Sequence, residues 1–187
     1  MLGSKGACLA GCALRRGLPQ GAAALRAALG HPTGESFEDR FQGTQLDREP
    51  LPRDVILKRR DGWYAYHLAV VVDDAAQGVT HVVRGIDLLS LTFIHIRLQR
   101  LLGLPSPHYA HCPVLVDTQG RKLSKQRGAQ GVDPAQAPRN LRRALAQLAQ
   151  KAPPAGACSV RAILDHAIEH WQPERLRTVS IIAPGEI

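Results

Sequence analysis

Strand-like and helix-like patterns alternate along residues 54–103, and this alternation limits the possible folds more than any other feature of the chain. The runs VILK at 55–58 and THVV at 80–83 are rich in aliphatic and β-branched residues and are typical of short strands. The sequence DLLSLTFIHIRLQRLLG follows the second strand and predicts a helix, with Asp87 as its N-cap and Gly103 at its C-terminal end. Strands and helices in this order predict an α/β fold built from βαβ units.

The run HLAVVVDDAAQ at residues 67–77 fits two kinds of element. Its β-branched residues suit a buried strand, and its length suits a buried helix, so periodicity does not separate the two. Gly78 ends the run in either case. The sequence alone therefore leaves open which element connects the two predicted strands.

The regions on both sides carry weaker patterns. Residues 21–29 predict a helix, and residues 1–36 show no strand pattern. Residues 137–151 predict an amphipathic helix, Ser159 is the predicted N-cap of another helix, and residues 172–187 are expected to be extended. The C-terminal part of the chain is therefore expected to be mainly helical, with an extended tail.

The segment PVLVDTQGRKLSKQR at residues 113–127 combines a short apolar strand, a turn and a cationic loop. Four cations fall within seven positions, and a serine hydroxyl lies among them: Arg121, Lys122, Ser124, Lys125 and Arg127. A loop of this kind suits a polyanion whose charge grows during a reaction, such as the triphosphate of ATP. A solvated basic hairpin would have the same composition, so the interpretation of this segment depends on its surroundings.

The position of a second cationic site provides that context. In open α/β sheets, ligands bind beyond the carboxyl ends of the strands. Arg84 follows the predicted strand at 80–83, and the loop at 121–127 follows the predicted strand at 114–116. We therefore expect both cationic sites to face one cleft.

The overall charge favours a polyanionic partner. Lys and Arg number 24 against 16 Asp and Glu, which gives the 187-residue chain a formal net charge of +8. Nucleotides and nucleic acids both match this charge. An arginine-rich composition also follows from high genomic GC content, so the charge is not by itself a functional signal.

The cysteines and the apolar runs indicate the compartment. The four cysteines are scattered and form no CxxC pair, so no disulfide framework is expected. No apolar run approaches the roughly 20 residues that are needed to cross a bilayer. The sequence therefore predicts a protein of the reducing cytoplasm that does not bind a membrane.

Four blocks of the sequence, taken in order, resemble the class I glutamyl-tRNA synthetase family. They are YAYHLAVVVDD, VTHVVRG, YAHCPVLVD and KLSKQ, the last being a form of the KMSKS signature. The resemblance covers about residues 11–171 and implies a partial Rossmann-type class I aminoacyl-tRNA synthetase catalytic domain with a C-terminal helical segment. It divides the chain into the remnant of a zinc-bearing insertion and linker (1–53), the second half of the catalytic domain (54–131) and a short helical segment (132–187).

The resemblance implies that ATP with Mg²⁺ activates L-glutamate to glutamyl-adenylate. Two features are similar to a short bacterial branch of the family, which transfers the glutamyl group to queuosine in the anticodon of tRNA(Asp). The signature contains Gln126, and the segment after Arg127 is too short for the large helical anticodon-binding domain of ordinary glutamyl-tRNA synthetases. We expect a cytoplasmic monomer. Two alternatives stay open: a truncated synthetase that charges the 3' end of a tRNA, and a non-catalytic RNA-binding remnant.

The resemblance also implies roles for individual residues. Tyr66 and Arg84 match the tyrosine and arginine that bind L-glutamate in the family, and a guanidinium can hold a carboxylate through two parallel hydrogen bonds. Lys125 matches the second lysine of KMSKS, a catalytic residue that binds ATP and stabilises the charge on the leaving pyrophosphate. Lys122 and Ser124 belong to the same ATP-binding loop.

Two groups of residues have a spacing that suits metal ligands. Asp73 and Asp74 are adjacent carboxylates, but the family's metal contact runs largely through ATP, so we predict a structural or helix-terminal role for them. His108, His111 and Cys112 approach a strand, where alternation sends neighbouring side chains to opposite faces. We therefore predict no metal site at this second group.

The chain departs from the family pattern before residue 54. It has no HIGH-type motif, whose histidines and glycine seat ATP in class I enzymes, and it lacks the first cysteines of the zinc site. GCALRRGLPQG resembles the end of the zinc-bearing insertion, with Cys12 in place of the last ligand, so we do not expect this chain to hold Zn²⁺. We expect the C-terminal portion of such an enzyme, with negligible glutamate-dependent ATP–pyrophosphate exchange on its own.

Overall fold

The computed structural model of the chain describes residues 12–13, 24–30, 34–47, 52, 54–124, 131–176 and 181–182. Within these residues the chain forms nine strands and four α-helices. The strands are β1 (Cys12–Ala13), β2 (Leu25–Ala28), β3 (Ser36–Asp39), β4 (Gly43–Leu46), β5 (Asp54–Lys58), β6 (His81–Gly85), β7 (His108–Cys112), β8 (Val114–Leu115) and β9 (Ile181–Ile182). The helices are α1 (Tyr66–Ala76), α2 (Leu89–Leu102), α3 (Ala137–Gln147) and α4 (Val160–Glu169).

The described strands form three sheets. The first is antiparallel and has the order β1-β2-β5. The largest has the order β4-β3-β7-β6, in which strands that are distant in the chain become neighbours. In the third sheet, β8 pairs in parallel with β9. Sheets interleaved with helices agree with the predicted α/β class.

The chain folds into two compact units. The first consists of Met1–Glu38, Thr44–Val82 and Leu88–Tyr109, and the second of Asp39–Gly43, Val83–Asp87 and Ala110–Ile187. The domain boundaries predicted at residues 53 and 131 stay predictions.

The core of the first unit lies between the β2–β5 pair and the helices α1 and α2. Its buried residues are Ala27, Leu29, Val55, Val71, Ile94 and Leu98. Val71 is almost completely buried, whereas its neighbour Val72 is exposed, as expected for a helix with one face on the core. The element left open at residues 67–77 is therefore the helix α1.

The helix predicted for residues 21–29 is wrong, because Leu25–Ala28 form the strand β2. Ala27 and Leu29 are both buried, which is the two-residue period of a strand. β2 pairs antiparallel with β5, and this pairing with a distant segment outweighs the helix propensity of an Ala- and Leu-rich run.

Helix α2 ends as predicted and begins differently. Gly103 has φ +67°, the left-handed conformation that glycine adopts without strain, and it ends the helix. The prediction of Asp87 as the N-cap is wrong, because Ile86–Leu88 form a 3-10 turn and Leu88 occupies the N-cap position without a side-chain hydrogen bond. The Asp87 carboxylate accepts a hydrogen bond from Lys122 instead, a contact that no local pattern reveals.

The second unit combines short strands with the packed helices α3 and α4. Ser159 caps α4 as predicted, because its hydroxyl accepts a hydrogen bond from the backbone N–H of Ala162. A small core is formed by Phe41, Ala110 and Leu176. The extended conformation predicted from residue 172 is wrong over Pro173–Leu176, which form a 3-10 turn that buries Leu176.

All the described helices are short, and the longest, α2, has 14 residues. Spanning a bilayer takes about 20 apolar residues in a helix. Within the described ranges, no helix combines the length and the apolar character that such a span demands.

Candidate functional site

Arg84 lies near the carboxyl end of β6 and is partly buried. Its Nε–H donates a hydrogen bond to Nε2 of His111, at a donor–acceptor distance of 3.0 Å. His111 belongs to β7, the strand next to β6 in the largest sheet. The residue predicted to bind glutamate is therefore held by a side chain of the adjacent strand.

His111 is in turn bound to a buried carboxylate. Its Nδ1 lies 2.6 Å from Oδ2 of Asp39, and both side chains have no exposed surface. The other oxygen of Asp39, Oδ1, accepts hydrogen bonds from the backbone N–H groups of Phe41, Gln42 and His111 at 3.0, 2.9 and 3.1 Å. Asp39 thus connects the turn after β3 with the imidazole that contacts Arg84.

The charge state of Asp39 follows from these contacts. Burial raises the pKa of a carboxyl, but the hydrogen bonds from the His111 ring and from the backbone of Gln42, His111 and Phe41 outweigh it and lower the pKa of Asp39. Asp39 is therefore an anion at neutral pH. A buried anion with this many donors is well satisfied.

The donors and acceptors also determine the tautomer of His111. A guanidinium has only N–H donors, so the Nε2 atom that faces Arg84 acts as an acceptor and carries no proton. The Nδ1 atom then carries the hydrogen and donates it to Asp39. The three side chains form one chain of hydrogen bonds, from Arg84 through neutral His111 to ionised Asp39.

Lys122 reaches the segment that follows β6. Its Nζ lies 2.5 Å from Oδ2 of Asp87, and the two side chains are 51% and 34% exposed. Gly85 allows Asp87 to take this position, because a Cβ on Gly85 would collide with the Asp87 carboxylate. The KLSK segment and the end of the Arg84 strand therefore meet at this ion pair.

The turn that presents Lys122 is built by Asp117. The Asp117 carboxylate accepts hydrogen bonds from the backbone of Gln119 and Arg121 at 2.9 Å each and from the Arg121 Nε–H at 2.8 Å. The backbone bond from Arg121 is the largest cause of the lowered pKa of Asp117. Gly120 has φ +73° and closes the turn. The predicted strand, turn and cationic segment are confirmed as far as Lys122.

The remainder of this loop is described only in part. Ser124 is partly buried, and Lys125 and Arg127 lie outside the described residues. The contacts with ATP predicted for Lys122, Ser124 and Lys125 stay predictions.

Tyr66 belongs to the first unit and is the first residue of α1. Its side chain is 48% exposed, and its ring centroid lies 5.6 Å from that of His67 and 5.8 Å from that of His95. His67 Nδ1 and His95 Nε2 are themselves 3.1 Å apart. Arg84 and Lys122 belong to the second unit. The glutamate contact predicted for Tyr66 stays a prediction.

The two sequence groups with metal-like spacing occupy different surroundings. Asp73 and Asp74 lie in the last turn of α1, the helix-terminal position that was predicted. In the second group, His108 is exposed and His111 is buried against Asp39. Burial raises the pKa of the Cys112 thiol, and the Asp39 charge raises it further, so this thiol stays protonated and is a poor metal ligand.

Across the described residues, no three His, Cys, Asp or Glu side chains are grouped so that they could hold a metal ion. Cys12 lies in β1, and its side chain is outside what the structure describes. The role of Cys12 as the last ligand of an incomplete zinc site stays a prediction.

Sequence reasoning missed Asp39 and His111 as parts of the site. The two residues are 72 positions apart, and their contact depends on the pairing of β3 with β7. SFEDRFQG carries no signal that an aspartate supports an arginine of another strand. The sequence singled out His111 only for its metal-like spacing to His108 and Cys112, and this spacing has no relation to Arg84.

Comparison with known proteins places this geometry in context. A family model described as class I tRNA synthetases (E and Q), catalytic domain, matches residues 14–149. A glutamyl-Q tRNA(Asp) synthetase of Xanthomonas campestris pv. campestris (strain 8004) is 47% identical over 178 residues, covering 92% of this chain and 57% of the relative. A protein of the same name from Methylococcus capsulatus is 47% identical over 160 residues, covering 84% of this chain and 53% of the relative. The chain spans about half the length of these curated relatives.

Solved structures agree on the fold. A glutamate tRNA ligase from Elizabethkingia meningosepticum, in complex with its amino acid, is similar with a TM-score of 0.62 at 21% identity, covering 86% of this chain and 36% of that one. A glutamate-tRNA synthetase from Elizabethkingia anophelis has a TM-score of 0.62 at 22% identity, with 87% and 36% covered. The predicted fold, an α/β catalytic domain of the class I type, is confirmed.

Proposed function

This chain belongs to the family of class I tRNA synthetases (E and Q), and from that premise we propose that it serves the ATP-dependent activation of L-glutamate. The glutamyl group is then transferred to queuosine in the anticodon of tRNA(Asp). The acceptor is taken from the relatives at 47% identity that are named glutamyl-Q tRNA(Asp) synthetase. The protein acts as a monomer in the cytoplasm.

The observation that carries the proposal is the ion pair between Lys122 and Asp87. Asp87 follows Arg84 by three residues, so even a fully extended chain separates their Cα atoms by only about 10 Å. The pair therefore brings the KLSK segment to the end of the strand that carries Arg84. A guanidinium suited to a carboxylate and an ammonium suited to phosphate therefore belong to neighbouring segments, and adenylate formation needs two such groups close together.

Arg84 binds a carboxylate of glutamate. A guanidinium has five N–H donors, so its terminal amino groups can hold a carboxylate while Nε–H stays on His111. Tyr66 orients the amino acid through its phenol, whose side chain is about half exposed.

Lys122, Ser124 and Lys125 bind the phosphates of ATP, which brings Mg²⁺ with it. The residues present fit this ligand, because Lys122 is exposed at the end of a tight turn and already pairs with a carboxylate oxygen. Lys125 is the catalytic residue and stabilises the charge on pyrophosphate as it leaves. We do not expect this chain to hold Zn²⁺.

The acceptor is the sharpest test of the proposal. The protein purified from its native cells is incubated with ATP and radiolabelled glutamate, together with tRNA(Asp) that contains queuosine, tRNA(Asp) made without queuosine, or tRNA(Glu). We expect label only on the first tRNA, and we expect it to be lost in the Lys125→Ala variant. As a second measure, disruption of the gene should remove glutamyl-queuosine from cellular tRNA(Asp), as detected by mass spectrometry.

Other results would support the two alternatives. Label on tRNA(Glu) would indicate ordinary charging of a tRNA 3' end. Absence of label, with salt-sensitive tRNA binding that persists in Arg84→Ala and Lys125→Ala, would indicate a non-catalytic RNA-binding remnant. Either result would overturn transfer to queuosine.

A further inference from the structure

We infer that Asp39 and His111 are positioning residues for Arg84, which fix the plane of its guanidinium so that it receives a carboxylate of glutamate. This inference rests on the proposed function, from which Arg84 takes its ligand. It adds two residues to the site, and neither of them touches the substrate.

The contact with His111 restricts the orientation of the Arg84 guanidinium. An arginine side chain has several rotatable bonds, and bidentate binding of a carboxylate needs one orientation of its plane. The hydrogen bond from Nε to His111, at 3.0 Å, restricts that plane at the inner edge of the guanidinium. A side chain that is already restricted in this way loses less conformational freedom when the ligand binds.

His111 is itself held in one orientation. Its ring is completely buried, and Asp39 holds both its Nδ1 and its backbone N–H. Asp39 is anchored by the backbone of Phe41 and Gln42 at the turn after β3. Arg84 is therefore tied to the backbone of two strands and a turn through a continuous series of hydrogen bonds, the kind of support that a precise binding group needs.

Asp39 also determines which nitrogen of His111 carries the hydrogen. Ionised Asp39 accepts the Nδ1 hydrogen, so it selects the tautomer that leaves an acceptor facing Arg84. Asp39 is held ionised because the hydrogen bonds on it outweigh the effect of burial on its pKa. The opposite tautomer would direct an N–H at the N–H of Arg84 and break the contact.

A purely structural reading of the same residues is available. A buried His–Asp pair can serve only to satisfy the turn at residues 40–42, without any effect on a ligand. The two readings differ in what happens to glutamate binding when Asp39 stays satisfied and only the Arg84 contact is removed.

Two substitutions separate these readings. In Asp39→Asn, three backbone N–H groups still require an acceptor at the Oδ1 position, so the amide NH₂ faces Nδ1 of His111 and the ring changes to the Nε2–H tautomer. In His111→Asn, the side-chain amide retains a donor near the Nδ1 position for Asp39 but has no acceptor for Arg84. His111→Gln restores an acceptor near the Nε2 position and serves as a rescue variant.

The matched control is Gln150→Ala, which removes buried hydrogen bonds to the backbone of Gln172 without touching this network. It reports what a general loss of stability does to glutamate binding. The dissociation constant for L-glutamate is measured by calorimetry for every variant, alongside the free energy of unfolding. The tautomer of His111 is read from ¹⁵N NMR shifts of the imidazole.

We expect the Nδ1–H tautomer in the wild type and the Nε2–H tautomer in Asp39→Asn. Glutamate binding should weaken by roughly tenfold to a hundredfold in Asp39→Asn and His111→Asn, which is the size of one hydrogen bond to a charged group. His111→Gln should recover part of the affinity, and Gln150→Ala should bind like the wild type.

Each contrary result has its own meaning. Wild-type glutamate affinity in His111→Asn, or an Nε2–H tautomer in the wild-type protein, would overturn the inference and leave the proposed function standing. If Asp39→Asn fails to fold, His111→Asn alone decides the matter. A wild-type protein with the Nδ1–H tautomer that does not bind L-glutamate would overturn the proposed function, and with it the role given to Arg84.

Discussion

Arg84 and Lys122 are both cations of the second unit, and each is linked to a carboxylate, but their surroundings differ in burial. Arg84 is held through His111 by Asp39, and neither of those side chains has exposed surface. Lys122 pairs directly with Asp87, and both of those side chains are well exposed. A buried network holds one geometry, whereas an exposed pair is screened by salt and exchanges partners readily.

This difference matches the two ligands that the proposal assigns. The amino acid offers a carboxylate of fixed shape, which a preorganised guanidinium recognises with little reorganisation. The triphosphate changes its charge distribution during the reaction, and a lysine that can leave Asp87 can follow that change. We therefore expect substitutions in the buried network to have large effects on stability and glutamate binding that do not depend on salt. Substitutions in the exposed pair should have small effects on stability that decrease as salt is added.

The largest effect is expected for Asp39→Ala. Removing this carboxylate leaves His111 and three backbone N–H groups without their buried acceptor. We expect the free energy of unfolding to fall by about 3–5 kcal/mol. Urea denaturation followed by circular dichroism measures it, and a loss similar to that of an exposed carboxylate would remove the contrast between the two regions.

The next largest effect is expected for Arg84. Arg84→Ala should weaken L-glutamate binding by roughly a hundredfold or more, because the carboxylate of the bound glutamate loses the cation that pairs with it. Arg84→Lys should recover little of it, since an ammonium offers neither the planar fork nor the Nε–H that His111 accepts. Calorimetric titration checks both variants. Full recovery of glutamate affinity in Arg84→Lys would mean that only the positive charge at position 84 is needed for binding, as expected for an exposed cation such as Lys122.

The pH dependence of stability sharpens the comparison further. The folded-state pKa of Asp39 lies below the unfolded value of about 3.9. Its contribution is therefore fully present above that pH and is lost as the pH falls through the folded-state pKa. We expect Asp39→Asn to flatten the acid part of the curve of unfolding free energy against pH, to the same extent at low and at high salt.

Asp117→Asn is the control for this measurement. The pKa of Asp117 is also lowered, chiefly by the Arg121 backbone hydrogen bond, but its turn lies at the surface. The effect of Asp117→Asn on the acid part of the curve should shrink as salt is added. Equal salt dependence in the two variants would contradict the distinction between buried and exposed carboxylates.

The smallest effect on stability is expected at the exposed pair. Lys122→Ala and Asp87→Ala should each change the free energy of unfolding by less than about 1 kcal/mol, and the change should vanish at high salt. A double-mutant cycle gives the coupling between the two side chains. A coupling above about 2 kcal/mol would show that the pair holds the loop rigidly and does not release it to a ligand.

The elements that local chemistry specifies were predictable from the sequence. Gly103 ends α2 because the chain needs a left-handed residue there, and Ser159 caps α4 because its hydroxyl reaches a nearby backbone N–H. Asp117 and Gly120 form the predicted turn for equally local reasons. The order of the strands and helices was enough for the α/β class, whereas the resemblance to the family depended on four blocks of sequence.

The elements that depend on distant partners were not predictable in this way. β2 looks like a helix until its pairing with β5 is known, and Asp87 looks like a helix cap until Lys122 takes its carboxylate. The link between Asp39 and His111 spans 72 positions. Each of these misses has the same cause, because a window of neighbouring residues holds no information about contacts across a sheet.

The parallel pairing of β8 with β9 bears on how the turn that presents Lys122 is supported. Val114 and Leu115 lead directly into the turn that presents Lys122, and their described strand partner is Ile181–Ile182. Trimming those two isoleucines would leave the base of the turn with an open edge. A drop in the proposed ATP-dependent function after deletion of these two residues would then reflect the loss of a supporting strand. It would not require that either residue contacts the nucleotide.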